Sequence, residues 1–208
     1  MNGRCHCSGN AVWHCAATKF EPTRDSKLST ETEIKIKIED TGDFLLRMNS
    51  LNPVLLSARH FEDNHLLDYP DRRLKSSQCL LRIRSAEGQY LLTYKGPPRP
   101  EGIFKTREEL ETKLEDGTIL LQALERIGMC VCFRYQKYRQ EFVFGEIHVA
   151  VDETPIGNFV EFEGSESGIL DLTRKMGIPE SQFLRSSYYS LYLEYCGEKG
   201  KAPEFMIF

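Results

Sequence analysis

No apolar run in the sequence approaches the length needed to cross a bilayer, so no membrane-spanning helix is expected. The first residues lack the charged start and apolar stretch that mark a secretory leader. No glycine-rich loop of the Walker or dinucleotide kind occurs, so any bound phosphate would have to be held by side chains. Repeats of solenoid length are absent. A basic surplus is absent too: the formal net charge is -4 over 208 residues, which argues against nucleic acid or an acidic membrane surface as a partner. The seven cysteines are odd in number and show no framework spacing, which favours reduced thiols and a cytoplasmic setting over a disulfide scaffold. Three of them lie in the first fifteen residues, but Cys5-His6-Cys7 with His14-Cys15 matches no common zinc-ligand spacing. Residues 1–30 therefore read as a disordered amino-terminal extension and 196–208 as a carboxy-terminal tail, with the folded unit between them.

What the sequence does have, after the extension, is a period of two. Strands are expected at 31–38, 54–67, 80–84, 89–95, 104–111, 130–144, 146–152 and 159–163. Ala86-Glu87-Gly88, Gly145 and Ile156-Gly157-Asn158 supply turns, and residues 96–102 form a stiff proline-rich loop. A short helix starts at Thr41-Gly42-Asp43, with Phe44, Leu45, Met48 and Leu51 at helical spacing, and ends at Asn52-Pro53. Asp116 caps a second helix whose apolar side is expected to hold Ile119, Leu120, Ala123, Leu124 and Ile127. Two more helices, split at Gly177-Ile178-Pro179, fill the stretch from about 166 to 195. The class is α+β with many antiparallel strands.

The alternation has an unusual content. Side chains two apart on a strand share a face. On that rule Glu31, Glu33, Lys35 and Lys37 align, as do Arg82 with Arg84, and Lys95 with Thr93 and Leu91. Arg107, Glu109 and Glu111 align; so do Lys137, Arg139 and Glu141; so do His148, Ala150 and Asp152; so do Glu161 and Glu163. A sheet with one wet and one dry face would produce alternation. Yet threonine and serine, usual on wet faces, are sparse here, and same-sign pairs recur. Closing the sheet into a barrel with this face inward would bring both signs into one cavity. Paired carboxylates suit hard divalent cations such as Mg2+ or Mn2+. Arginine and lysine suit phosphate oxygens. Together they fit a metal-bridged polyphosphate.

The wording of these segments, "ETEIK", "LLRIR", "YLLTYKGP", "KTREELE", "KYRQEF" and "VAVDETPIGNFVEFEG", taken in order, resembles the CYTH superfamily, or triphosphate tunnel metalloenzymes. The likeness spans 31–195, and "LTYKGP" with "SYYSLYLEY" is most similar to the class IV adenylyl cyclase branch. The resemblance implies an eight-stranded antiparallel barrel forming a tunnel, charged inside and flanked by helices. It implies a metal set of Glu31, Glu33, Glu109, Glu111, Asp152, Glu161 and Glu163. It implies a triphosphate grip of Lys35, Arg82, Arg84, Lys95, Arg107, Lys137 and Arg139, with Glu31, Glu33, Lys35, Arg82 and Arg139 central to catalysis. The chain departs from the family wording at Leu66-Leu67-Asp68, where an aromatic pair often precedes the aspartate, and at Ser186, where a lysine is common.

The function implied is ATP cyclisation to cyclic AMP and pyrophosphate. The alternative is hydrolysis of inorganic tripolyphosphate or thiamine triphosphate, and the third reading is a non-catalytic nucleotide or polyphosphate sensor. The chain would act as a monomer or homodimer. His148 could be a ligand, although a strand histidine with one polar contact is the simpler reading; Tyr188, Tyr189, Tyr192 and Tyr195 read as helix packing against the barrel.

Overall fold

The computed structural model describes residues 29–208; the Cys5–Cys15 group and nearly all of the expected extension lie outside the described residues. Eight strands form a closed barrel: β1 (Ser29–Ile38), β2 (Val54–Asp68), β3 (Leu80–Ala86), β4 (Gln89–Lys95), β5 (Lys105–Leu114), β6 (Cys130–Phe144), β7 (Ile147–Thr154) and β8 (Gly157–Glu163). Around the barrel the order is β1-β5-β4-β3-β2-β6-β7-β8, and every neighbouring pair is antiparallel. The expected eight-stranded tunnel is thus the observed fold. Closure disposes of the edge strands that an open sheet of this size would leave unpaired. The β3–β4 hairpin turns on Glu87-Gly88, both at positive φ (49° and 76°), which suits a tight turn between right-twisted strands.

Much of the outer face of the barrel is apolar and is roofed by helices. Helix α1 (Thr41–Asn49) is capped by Asp40, whose carboxylate accepts from the Asp43 amide at 2.8 Å, and it buries Phe44 and Met48. These side chains join Ile34 and Ile36 of β1, Val149 and Val151 of β7, Val160 and Phe162 of β8, and Ile169 and Leu172 of α4 (Glu166–Lys175) in one core. Between β2 and β3 in the chain lies α2 (Arg73–Ser76), a short helix that the alternation gave no sign of. Asp68 organises it, accepting from the amides of Leu74 and Lys75 at 3.0 Å each.

Helix α3 (Gly117–Arg126) starts where expected, the Asp116 carboxylate accepting from the amides of Thr118 and Ile119 at 2.8 and 3.0 Å. Its buried stripe differs from the expected one. Leu120, Leu121 and Leu124 pack onto the barrel, whereas Ile119 and Ile127 remain 66% and 68% exposed. The contact stripe is narrow, and the flanking isoleucines fall outside it.

The final helix α5 (Tyr188–Lys199) closes one end of the barrel. Two irregular segments complete the wall beside it. Leu184 exchanges backbone hydrogen bonds with Lys35 at 2.7 and 3.0 Å, past the point where β5 stops pairing with β1. Met206 does the same for β6, taking the edge of 134–136 that β7 does not reach. Among the described residues no helix is long and apolar enough to cross a membrane.

Candidate active site

Because strands alternate, an apolar outer face leaves the charged face inside. The bore is a cavity of about 630 Å³ lined by eight lysines and arginines and seven glutamates. Every residue nominated from sequence for metal or phosphate lines it, with the exception of Asp152, and His148 lines it as well.

Register does the grouping. Glu31 stands across from Arg107 and Glu33 across from Lys105. Lys35 stands across from Glu161, Lys95 from Glu109, and Arg139 from Asp152. Opposite charges directly across a ladder attract, so barrel closure converts like-charged rows on single strands into mixed pairs.

Three neighbourhoods result. In the first, Lys35 holds Glu161 at 2.8 Å, and Arg139 also contacts Glu161. Arg139 grips Asp152 with two parallel bonds at 2.7 and 2.6 Å, while Lys137 reaches the same carboxylate at 3.0 Å and the Tyr188 hydroxyl donates to it at 2.5 Å. Asp152 is fully buried, and both of its oxygens are occupied by donors. Burial raises the Glu161 carboxyl, but Lys35, Arg139 and Lys137 together hold it well below the usual range.

The second neighbourhood centres on Glu62, 3.0 Å from Arg84 and 3.5 Å from Lys137. Burial opposes its charge, yet Lys137, Arg84 and Arg139 keep it ionised. Arg84 is oriented further by Asn64, and Arg82 by the hydroxyls of Tyr135 and Thr93.

The third neighbourhood is acidic. Lys95 binds Glu31 at 2.5 Å and Glu109 at 3.1 Å, and Lys105 binds Glu33 at 3.0 Å. Burial works against the charge on Glu33, but Lys105, Lys35 and Lys95 prevail and hold it at about 2. Glu31 and Glu163 go the other way. Burial first, then the charge of Glu33, raises Glu31. Lost hydration, with repulsion from Glu31, Glu109 and Glu33, pushes Glu163 up to about 7, although its side chain stands at the open rim. Glu111 lies further out, accepting from the Thr93 hydroxyl at 2.9 Å.

Among the described residues, four buried side-chain atoms have no hydrogen-bond partner: Glu31 Oε2, Glu62 Oε2, Arg82 Nε and Arg107 Nε. Arg107 Nε and Glu31 Oε2 face each other at 3.5 Å, too far for a good bond. Leaving such groups unsatisfied costs about 1–3 kcal/mol each, more when charged, so a ligand that paired with them would recover that cost. The acidic end fits a divalent cation: hard oxygen donors, a buried carboxylate oxygen without a hydrogen bond, and a carboxyl raised by burial and by neighbouring carboxylates. Among the described residues no three acidic, histidine or cysteine side chains converge into a finished metal cage. Magnesium usually takes one or two carboxylates and completes its shell with water and phosphate.

Sequence reading missed Lys105, Glu62, Tyr135 and Tyr188. The alternation carried a signal for the first two: Lys105 lies two before Arg107, and Glu62 two before Asn64. Tyr188 carried none, being a helix residue brought in by the chain end; its ring also lies 4.6 Å from Lys35 Nζ and 5.1 Å from Lys137 Nζ.

Comparison with known proteins agrees with this architecture. The family model described as "CYTH domain" matches residues 29–188. A Methanocaldococcus jannaschii protein named "Putative adenylate cyclase" is 28% identical over 172 residues, covering 77% of this chain and 97% of that protein. Among solved structures, a Vibrio parahaemolyticus "putative adenylate cyclase" superposes with a TM-score of 0.68 at 22% identity, covering 82% of this chain and 99% of the other. A Hippeastrum "putative adenylyl cyclase", with a dominant triphosphatase activity of its own, superposes at 0.60 and 20% identity over 83% of this chain and 97% of the other. At those identities the structures speak for the fold alone. The match running from residue 29 to residue 188 does more: the chain belongs to the CYTH domain family, whose enzymes act on triphosphates.

Proposed function

We propose that this chain is a divalent-metal-dependent enzyme that converts ATP to cyclic AMP and pyrophosphate. The observation that carries the triphosphate part is the pair Arg82 and Arg107, each with a buried Nε that makes no hydrogen bond, inside a tunnel rich in lysine and arginine. Preference for cyclisation over hydrolysis draws on the family wording of the strands and on the Methanocaldococcus relative.

In this reading Lys35, Arg82, Arg84, Lys95, Arg107, Lys137 and Arg139 hold the phosphate chain, joined by Lys105. Arginine serves as a planar fork and lysine as a point charge. Glu31, Glu109 and Glu163 hold the cation, with Glu33 and Glu111 beside them. When bound, Mg2+ or Mn2+ supplies Lewis-acid polarisation of phosphate oxygens and favours ionisation of an oxygen nucleophile. Asp152 and Glu161, grouped with the metal acids on sequence, are better read as struts that aim Lys137, Arg139 and Lys35. The ribose 3′ oxygen bonds to the α-phosphorus, the bond from that phosphorus to the bridging oxygen breaks, and pyrophosphate leaves; the hydroxyl proton passes to solvent. Charge gathering on the departing oxygens is met by fixed cations that need no reorganisation.

The second reading, hydrolysis of the terminal phosphate by water, uses the same tunnel and is favoured by the triphosphatase activity of the Hippeastrum relative. One experiment separates them. The purified protein is incubated with ATP, tripolyphosphate or thiamine triphosphate, each with Mg2+ or Mn2+. Cyclic AMP with pyrophosphate is expected; orthophosphate instead would replace cyclisation with hydrolysis, and binding without product would leave a sensor.

A further inference from the structure

After α5, residues 204–208 return to the barrel and lie along β6 as a strap. The Met206 amide donates to the Arg134 carbonyl at 3.0 Å, and the Met206 carbonyl accepts from the Gln136 amide at 2.9 Å. The pairing is parallel and sets Met206 directly across from Tyr135. On the α5 side, the Tyr192 hydroxyl donates to the Phe205 carbonyl and accepts from the Glu204 amide, both at 3.3 Å. The Phe208 amide donates to the Gln136 side chain at 3.2 Å, and its ring lies 5.4 Å from that of Tyr138. The strap is therefore tied both to a barrel strand and to the closing helix. It lies beyond the stretch matched by the family, which ends at residue 188.

Exposure along the strap is uneven. Phe205, Ile207 and Phe208 are 45%, 43% and 60% exposed, but Met206 is only 1% exposed. Its side chain joins Phe133, Tyr135, Ile156, Phe159 and Tyr188 in one core. Two of these neighbours, Tyr135 and Tyr188, are rings that also line the tunnel with a polar tip. The Tyr135 hydroxyl accepts from Arg82 at 3.3 Å. The Tyr188 hydroxyl donates to Asp152, which in turn holds Arg139 and Lys137. The Tyr188 ring also faces Lys35. Four of the eight tunnel cations thus meet, directly or through Asp152, two rings that pack in one core with Met206. Lys95 and Lys105 are held elsewhere, by Glu31 and Glu33.

A thioether has no part in phosphate chemistry, but it decides how far the two rings can tilt. Methionine is unbranched and fills an irregular gap, and shortening it opens space into which both rings can move. A misplacement of about 1 Å that starts far from the chemistry can cost about 100-fold in rate.

We infer that Met206 is a positioning residue that acts through Tyr135 and Tyr188 on the tunnel cations, so that the strap sets turnover without touching substrate. The inference rests on the tunnel turning over a triphosphate, and the test keeps the two apart. Met206→Ala is compared with Met48→Ala, the same change at an equally buried methionine in the core under α1. Both should lower the melting temperature. Only Met206→Ala should lower kcat, by roughly tenfold or more, with KM within about threefold because Lys95, Lys105 and Arg107 stay in place. Met206→Leu keeps the volume and should restore kcat.

Tyr135→Phe keeps the ring and drops the hydroxyl that meets Arg82. Combined with Met206→Ala, it should lose less than the product of the two single losses, since both changes act on one group. Equal kcat in the two methionine variants, or a combined loss equal to that product, would overturn the role of Met206. Met206→Val serves where Met206→Ala does not fold; the same split between kcat and KM is expected, and its absence would overturn the role equally. No turnover of any triphosphate by the unaltered protein would instead remove the proposed function, and this role with it.

Discussion

Arg82 and Glu161 show how much of the site depends on single groups. Arg82 reaches the tunnel already oriented by the Tyr135 and Thr93 hydroxyls, so its truncation removes a prepaid charge rather than a flexible one. Glu161 is clasped between Lys35 and Arg139, and its neutralisation would release both. Arg82→Ala and Glu161→Gln should each lower turnover by about 100-fold or more, with the circular-dichroism spectrum unchanged. Unaltered turnover in both would refute the assignment of these side chains. Glu163 offers a test without turnover. Its folded pKa of about 7 lies above the ordinary 4.5, so between those values the native protein holds a proton that the unfolded chain has released. Stability should therefore fall as pH rises through that window in chelator. Glu163→Gln should flatten the melting-temperature profile, and added Mg2+ should flatten it in the unaltered protein.

Elements divide into those that build the bore and those that only cover it. Helix α3 belongs to the second group: it packs over Leu67, Ile83 and Met129, on the outside of the wall. Asp116→Ala removes a cap that satisfies two amides and should cost about 1 kcal/mol in urea denaturation, with KM and turnover unchanged. A change in KM would show that α3 communicates with the tunnel. The location of this helix was legible from its cap, because a capping carboxylate is a local signal. Its buried stripe was not: helical spacing admits Ile119 and Ile127 as readily as Leu121, and only the barrel decides which of them touches anything. The small helix α2 was invisible for a related reason. Asp68 is an ordinary strand-end aspartate until the chain folds back and presents amides to it.

At the scale of the molecule, the barrel holds opposite charges in near balance, so on the proposed function a cation and a polyanion would enter together. A triphosphate entering alone would compete with carboxylates for every lysine it meets. A cation entering alone would relieve Glu31 and Glu163 but leave Arg82 and Arg107 unsatisfied. Chelator should therefore abolish turnover, and Mg2+ or Mn2+ should restore it. Either ion at about 100 Kd should add about 2.7 kcal/mol to stability. A melting temperature indifferent to both ions would argue against the acidic end as their site.

Alternation along each strand determined which residues share a face, because that depends only on the two-residue repeat of the backbone. The same repeat delimited the strands, and the capping carboxylate of Asp116 marked one helix start. Which face turned inward, and which acid met which base, followed from closure. Asp152 and Glu161 look on the chain like further metal acids, yet cross-strand register sets them among Arg139, Lys35 and Lys137. Tyr188 comes from a helix and Glu62 from the strand beside β6, both to neighbours distant in sequence. Charge pairing acts across space over a few ångströms, and sequence separation says nothing about such distances until the strands are joined.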